Sequence, residues 1–511
     1  MSGIDRIRNY RLSSRMKQTI YSVLFWGVIA HLYMYMNRIV NHDSIFALRS
    51  SGSSIASGRW LIEILDMICY KFNNHYITPW SIGVMTLFIY AALACVLVKT
   101  FDIQNKPLCC VLGALLVTHP TVTSNNLYIF TAHYYALSAL MACGSVFLVN
   151  RFGTIPAILG SSLLIACSLG LYQAYLPFIL SMYVLLILLA CLRAETATAD
   201  IIRLALKFLA SLIGGLALYF VIHRGFLTLT DTQMNVYMGL ETMGKLELSA
   251  LPSILGKCYS SFAGLFLNPY HGINDKPWLR LVMLACCLFS VGAVVFMIFR
   301  NKVRPVHIFF VCAAFILFPI AIGAIYIMTQ AENAVCTMTV YATIFVFLVP
   351  ICLADRLSMN LTVNKTFVLQ MGLCVVLGVV SFYYSTLANE TYMSLEYSNQ
   401  NANAYYSTIV TQIKSLEGFS TDLKVALIGE SQDTSIPVID CDYIIRGDLT
   451  PIEQINQYSR EYFMTLHCGY GCTFVEDVES LANDDRVKDM PAYPSNGSIC
   501  IIDDVIVVKF S

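Results

Sequence analysis

The stretch TIYSVLFWGVIAHLYMYMNRIVNHDSIFALRSSGSSIASGRW, residues 19 to 60, decides how the rest of the chain is read. Its first part, 19 to 36, is an apolar run close to the roughly 20 residues that a helix needs to cross a bilayer core. A basic leader (Arg6, Arg8, Arg11, Arg15, Lys17) precedes it and no small-residue cleavage site follows, so it reads as a retained first span. What comes next is more than a tether. It carries His42, Asp43, Arg49 and Arg59 with little bulk between them, and a new helical pattern opens at its end.

Composition agrees with a membrane setting. The 511 residues are 57% hydrophobic and only 13% charged, with a mean hydropathy of +0.66, too apolar for an ordinary soluble enzyme of this length. Lys+Arg and Asp+Glu balance at 32 each, and neither a basic run nor a Gly-rich phosphate cradle is present, so neither a nucleic acid nor a nucleotide is an expected partner.

Apolar runs fall near 19–36, 80–98, 107–119, 127–149, 155–171, 175–192, 206–223, 279–299, 306–328, 334–353 and 366–386. The expected fold class is therefore mainly α: a polytopic membrane protein of about 11 transmembrane helices over residues 1–387. If the spans alternate, the short connectors on one side hold most of the Arg and Lys (Arg6 to Lys17, Lys99, Lys106, Arg151, Arg193, Arg300 to Arg304, Arg356, Lys365). That side is cytoplasmic by the positive-inside rule, which turns the loops 37–79 and 224–278 outward, together with everything after Leu387.

Beyond that point acidic residues concentrate. A polar helix-like segment (EYSNQNANAYYSTIVTQIKSL) and the strand-like runs KVALIGE, CTFVED and CIIDDVIVVKF predict a small α/β or α+β extracytoplasmic domain over 388–511. Its Cys441, Cys468, Cys472 and Cys500 form an even set in an oxidising compartment, which favours disulfides. Three full pairings are open. Cys468 with Cys472 would close the HCGYGC loop, and Cys441 with Cys500 would tie the last strand-like run to a distant segment; four unpaired thiols are the bland alternative.

In the outward loop, Leu61, Ile64, Leu65 and Ile68 recur at helical spacing after Ser57, a natural N-cap. The expected helix rests on the bilayer surface with Trp60 at headgroup depth. Arg59 then lies in its first turn, where unpaired N–H groups and a guanidinium together suit a phosphate; snorkelling to lipid headgroups is the plainer use of such an arginine. Asp43 is either a base near the outer surface or a helix N-cap for SIFAL. His42, His133, Tyr172, Gln173, Arg224, Gln330 and Glu332 reach the same outer level, and polar groups gathered at one membrane face tend to mark a site. A second outer segment, 253–272, spaces Ile254, Cys258, Phe262, Leu265 and Phe266 along one helical face and reads as another interfacial helix, or as a packing helix.

The order of these parts, with an HD pair after the first span, SGRWL opening a helix, SLGLYQAYLPF in mid-chain and an outward C-terminal domain, resembles the bacterial multi-span glucosyltransferases related to the serotype-converting O-antigen enzymes. The resemblance implies a GT-C type fold in the inner membrane. It also implies transfer of glucose or a related hexose from a polyprenyl-phosphate donor to a surface glycan such as O-antigen, with a donor-making synthase and a flippase as partners. In such a mechanism Asp43 takes the acceptor proton and Arg59 holds the departing lipid phosphate, while His42, Trp60, His133, Tyr172, Gln173, Arg224 and Glu332 bind substrate. Ser44 stands where members often carry a second acid, leaving Asp43 alone; no cofactor is expected, and a divalent metal stays open. A glycan polymerase or ligase and a lipid-linked sugar flippase are the other classes that this layout admits.

Overall fold

A computed structural model describes residues 12–45, 55–73, 77–236, 239–243, 245, 248–330, 335–357, 363–430 and 459–511. The expected positions 46–54, Glu332 and Cys441 lie outside the described residues. The chain divides into two compact units: residues 1–36 with 50–389, and residues 37–49 with 390–511.

The first unit is a helical bundle. Its helices are α1 (Ser14–Met36), α2 (Trp60–Asn73), α3 (Pro79–Phe101), α4 (Lys106–Thr118), α5 (Pro120–Asn126), α6 (Ile129–Arg151), α7 (Thr154–Leu171), α8 (Leu176–Cys191), α9 (Thr198–Leu229), α10 (Leu251–Leu267), α11 (Pro277–Arg300), α12 (Pro305–Ile322), α13 (Ile325–Thr329) and α14 (Phe345–Leu357). The long helix α15 (Val363–Lys414) begins in this unit and ends in the second. Among the described residues nine helices are long and apolar enough to cross a membrane, and α4 with α5 adds a tenth if the pair is one span. This is a multi-pass, mainly α membrane protein.

Two sequence expectations change. The run 334–353 yields no unbroken helix: its start folds into 3-10 turns, and α14 has only 13 residues. It still traverses the bundle in broken pieces, from Thr337, whose carbonyl accepts from Thr121 beyond one end of α4, to Asp355, which accepts from Gln104 N and Asn105 N before the other end. The run at 107–119 looked short because Pro120 interrupts it. His119, before the proline, takes φ −53 and ψ 135, outside the helical region, as the ring of a following proline favours. The helix bends there by 41°.

Helix ends are tied down by polar side chains. Asp355 of α14 accepts from Gln104 N (3.0 Å) and Asn105 N (2.8 Å). Arg151 and Arg356 donate to the carbonyls of Lys99 and Phe101, both at 2.9 Å, which matches cations to the negative ends of helix dipoles. With Arg193 and Asp102 they line a polar cavity of about 750 Å³.

The second unit contains a three-stranded sheet: β1 (Lys424–Ile428), β2 (Ile499–Ile502) and β3 (Val505–Lys509), in the order β1-β3-β2. β1 runs parallel to β3 and β2 antiparallel to it. Asp503 and Asp504 make the two-residue turn with φ +47 and +60, the left-handed geometry that matches strand twist in a tight hairpin. Ile409, Ile413, Val425, Phe463, Ile506 and Val508 fill the core on one side. Arg460, 8% exposed, donates to the carbonyls of Gly429 and Leu427 at the end of β1.

The expected disulfides are not formed. Cys468, Cys472 and Cys500 are free thiols. Cys468 Sγ lies 3.7 Å from Asn403 Oδ1 and Cys500 Sγ lies 3.6 Å from Met490 Sδ, so each is taken up by local packing. An even number of cysteines did not identify partners.

His467 stacks on Phe463 with ring centroids 4.7 Å apart. Burial pushes its imidazole down to about 4, with Arg38 adding to the effect. Unfolded, the ring takes up its proton near pH 6.5, so the stabilising contribution is present above that pH and is lost as pH falls toward 4. Hydrogen exchange of Arg460–Leu466, corrected for intrinsic rates, should quicken from pH 7 to pH 5, and His467→Phe should remove most of that dependence. Identical pH profiles for the two proteins would contradict the assignment.

Candidate functional site at the start of helix α2

The segment IASGRW builds the site. Ile55–Ser57 forms a single 3-10 turn, Gly58 follows at φ +76, and α2 then starts at Trp60. A Cβ on Gly58 would lie 2.4 Å from Tyr219 Oη and 2.5 Å from Gln173 Nε2. Only glycine fits both the backbone angle and the space. The Ser57 hydroxyl accepts from Asn235 Nδ2 (3.1 Å), and Asn235 N donates to Ala56 O (2.9 Å).

Gln173 locks this segment to the bundle. It sits in the QAY turn that breaks α7 from α8, where Tyr172 is extended and Pro177 opens the next helix. Its Nε2 donates to Ser57 O (2.6 Å) and to Tyr219 Oη (3.0 Å), and Tyr219 in turn donates to Gly58 O (3.2 Å). Three elements thus converge on two backbone carbonyls.

Arg59 projects from this lock. Its guanidinium lies 5.1 Å above the Tyr172 ring and 5.8 Å from the Tyr135 ring, and Nη1 donates to Tyr135 Oη at 3.1 Å. The two tyrosines are stacked, 4.2 Å apart. Cation–π contact of this kind holds the planar fork in place.

Trp60 does not sit at the surface as expected. It is 4% exposed, stacked at 6.2 Å on Phe226 and pressed on Gly170, whose absent Cβ would meet the indole at 2.5 Å. A glycine in the facing helix admits the ring, and burial of that area outweighs the interfacial preference. Trp60 is part of the scaffold.

Helix α2 is amphipathic, with Met67 and Ile68 exposed and Ile62 fully buried. One turn after Ile62, Asp66 Oδ1 accepts from Tyr134 Oη (3.0 Å). His133 neighbours this pair, its ring 3.8 Å from that of Tyr134. Asp66 was missed by sequence reasoning. It lies seven residues after Arg59, two turns along the same helix, and that spacing was the available signal.

The remaining expected residues scatter. Arg224 is exposed, a turn beyond Tyr219, and joins none of these contacts. His42 and Asp43 belong to the second unit. There Asn41 Oδ1 accepts from the N–H groups of Asp43 (3.1 Å) and Ser44 (2.9 Å), and the rest of SIFAL lies outside the described residues. Its carboxylate lies 3.7 Å from His42 Nε2. The second outer segment folds as α10, with Ile254, Cys258 and Leu265 buried and Cys258 Sγ 3.3 Å from Gly323 O, as a packing helix would be. Among the described residues no group of three His, Cys, Asp or Glu could hold a metal.

Fold and site together define a polytopic membrane protein with a fixed cation where an amphipathic helix starts. The family described as glucosyl transferase GtrII matches residues 32–347. This chain belongs to that glucosyltransferase family, and the match contains Arg59, Gln173 and Tyr219 together. Comparison with curated proteins and with solved structures finds no match.

Gly58→Ala should cost about 1–2 kcal/mol in left-handed strain alone, before the loss of the Gln173 and Tyr219 bonds. Gly225→Ala, a helical position with open space around it, should be neutral or stabilising. Thermal melts of both variants in the same detergent check the contrast, and equal melting temperatures would contradict the lock.

Proposed function

We propose that this chain moves glucose, or a related hexose, from a polyprenyl-phosphate sugar to a cell-surface glycan such as O-antigen, with inversion at the anomeric carbon. The reaction is placed on the outer face of the inner membrane, with the N-terminus cytoplasmic. Arg59 carries the reading. A guanidinium held against a stacked pair of tyrosines matches phosphate by charge and by its planar fork, and the positive end of the α2 dipole adds to the attraction. An apolar groove lined by Phe262, Phe315, Phe318 and Phe345 among others suits part of an isoprenoid chain.

In this reaction the acceptor hydroxyl attacks the anomeric carbon. The bond from that carbon to the phosphate oxygen breaks, and the phosphate leaves with the electron pair, stabilised by Arg59. The acceptor proton needs a base. We assign that role to Asp43 on the chemistry of its loop; Asp66, which shares a helix turn and a face with the Arg59 region, is the rival carboxylate.

With purified protein in nanodiscs, Arg59→Ala should weaken binding of polyprenyl-phosphate glucose about tenfold or more, and Arg59→Lys should recover only part of it. Unchanged donor affinity in the alanine variant would return Arg59 to a headgroup contact. Asp43→Asn should lower turnover by about 10² to 10⁴ while leaving donor affinity intact, with Asp66→Asn affected less. The reverse order would move the base to Asp66. Product mass separates the neighbouring classes: one hexose for this reaction, a whole repeat unit for a polymerase or ligase, and no covalent change for a flippase.

A further inference from the structure

Helix α5 ends in Thr123-Ser124-Asn125-Asn126, the most polar run inside the bundle, and each of these residues is 2% exposed or less. Nearby hydroxyls are bonded: Thr121 donates to Thr337 O (2.6 Å), Thr118 to Ala114 O (3.0 Å) and Thr131 to Tyr128 O (3.1 Å). The run 123–126 differs. Thr123 Oγ1, Ser124 Oγ, both amide atoms of Asn125, Asn126 Nδ2 and the hydroxyls of Tyr35 and Tyr175 make no hydrogen bond within the protein. The Asn125 and Asn126 amides lie beside the Tyr175 and Tyr35 hydroxyls without reaching normal hydrogen-bond geometry. Buried donors and acceptors in a bundle as apolar as this are costly unless something satisfies them.

We propose that Ser124, Asn125 and Asn126, with Tyr35 and Tyr175, form the subsite that grips the hydroxyl groups of the transferred hexose. The proposal rests on the reading of Arg59 as the donor-phosphate site. Three features select a sugar. The group carries both donors and acceptors, as hydroxyls require. It contains no charged side chain, which disfavours an ion. Its two tyrosine hydroxyls, like the amides, can each donate and accept, as a sugar with several hydroxyls requires.

Position supports the same ligand. The Tyr175 ring lies 6.0 Å from the Tyr172 ring, and Tyr172 carries the Arg59 guanidinium. One tyrosine therefore stands between the cation and the neutral polar group, the order in which phosphate and hexose occur in a sugar phosphate. The break at Pro120 makes this possible, because it ends α4 and turns α5 by 41°.

The test compares the full-length protein in nanodiscs for binding of polyprenyl-phosphate glucose and of bare polyprenyl phosphate. Wild type should prefer the glucosylated lipid by tenfold or more. Asn125→Ala, and separately Ser124→Ala, should reduce that preference severalfold while leaving affinity for the bare lipid unchanged. An unaltered preference in both variants, or equal affinity of the wild type for the two lipids, would overturn the subsite while sparing Arg59. Failure to bind either lipid would overturn the donor reading and this inference with it. A fall in melting temperature together with an unaltered preference would make these residues packing contacts and overturn the proposal.

Discussion

The bonds from Gln173 Nε2 to Ser57 O and Tyr219 Oη, closed by Tyr219 onto Gly58 O, are the constraint on which the rest of the site depends. They fasten a connecting loop to helices far apart in sequence. A buried carbonyl left unpaired in an apolar bundle costs about 1–3 kcal/mol, so the two carbonyls and their donors select one arrangement of α7, α8, α9 and the start of α2. Arg59 follows directly after the locked glycine and inherits its fixed direction. Catalysis by a positioned cation requires this kind of support, because a floppy guanidinium would lose side-chain entropy on every turnover.

The bundle sorts its polar groups by task. At one set of helix ends Arg151, Arg356 and Asp355 satisfy backbone groups. At the other, Arg59 lies against tyrosine faces, and Asp66 is turned inward to Tyr134 while Met67 and Ile68 of the same helix are exposed. Helix α2 thus exposes an apolar face and turns a carboxylate toward the bundle.

Much of this was legible in the sequence. Long apolar runs located the bundle because about 20 apolar residues have few uses besides crossing a membrane. The YQAY break placed Gln173 at a helix end, but Gly58 and the bonds that close on it were not read, since they depend on Tyr219 from a distant helix. Other features depended on tertiary partners that one sequence does not display. Trp60 was placed at the interface by aromatic preference, whereas Gly170 in α7 admits it to the interior. The run 334–353 was apolar enough to span but crosses the bundle as short pieces, because hydropathy reports burial and not the continuity of a helix. Asp66 was passed over because the helix was read by its apolar stripe, and the acid lay on the face that the stripe left out. The cysteines were paired by parity, and parity carries no distance.

The central claim is that a hexose passes from a lipid phosphate held at Arg59 to a surface glycan. Mass spectrometry of that glycan, from cells carrying the wild-type chain, the Arg59→Ala variant or neither, tests it most directly. The account predicts one added hexose per acceptor unit with the wild type and little or none in the other two. A glycan of equal mass with and without the wild-type chain, or full modification by the Arg59→Ala variant, would contradict it.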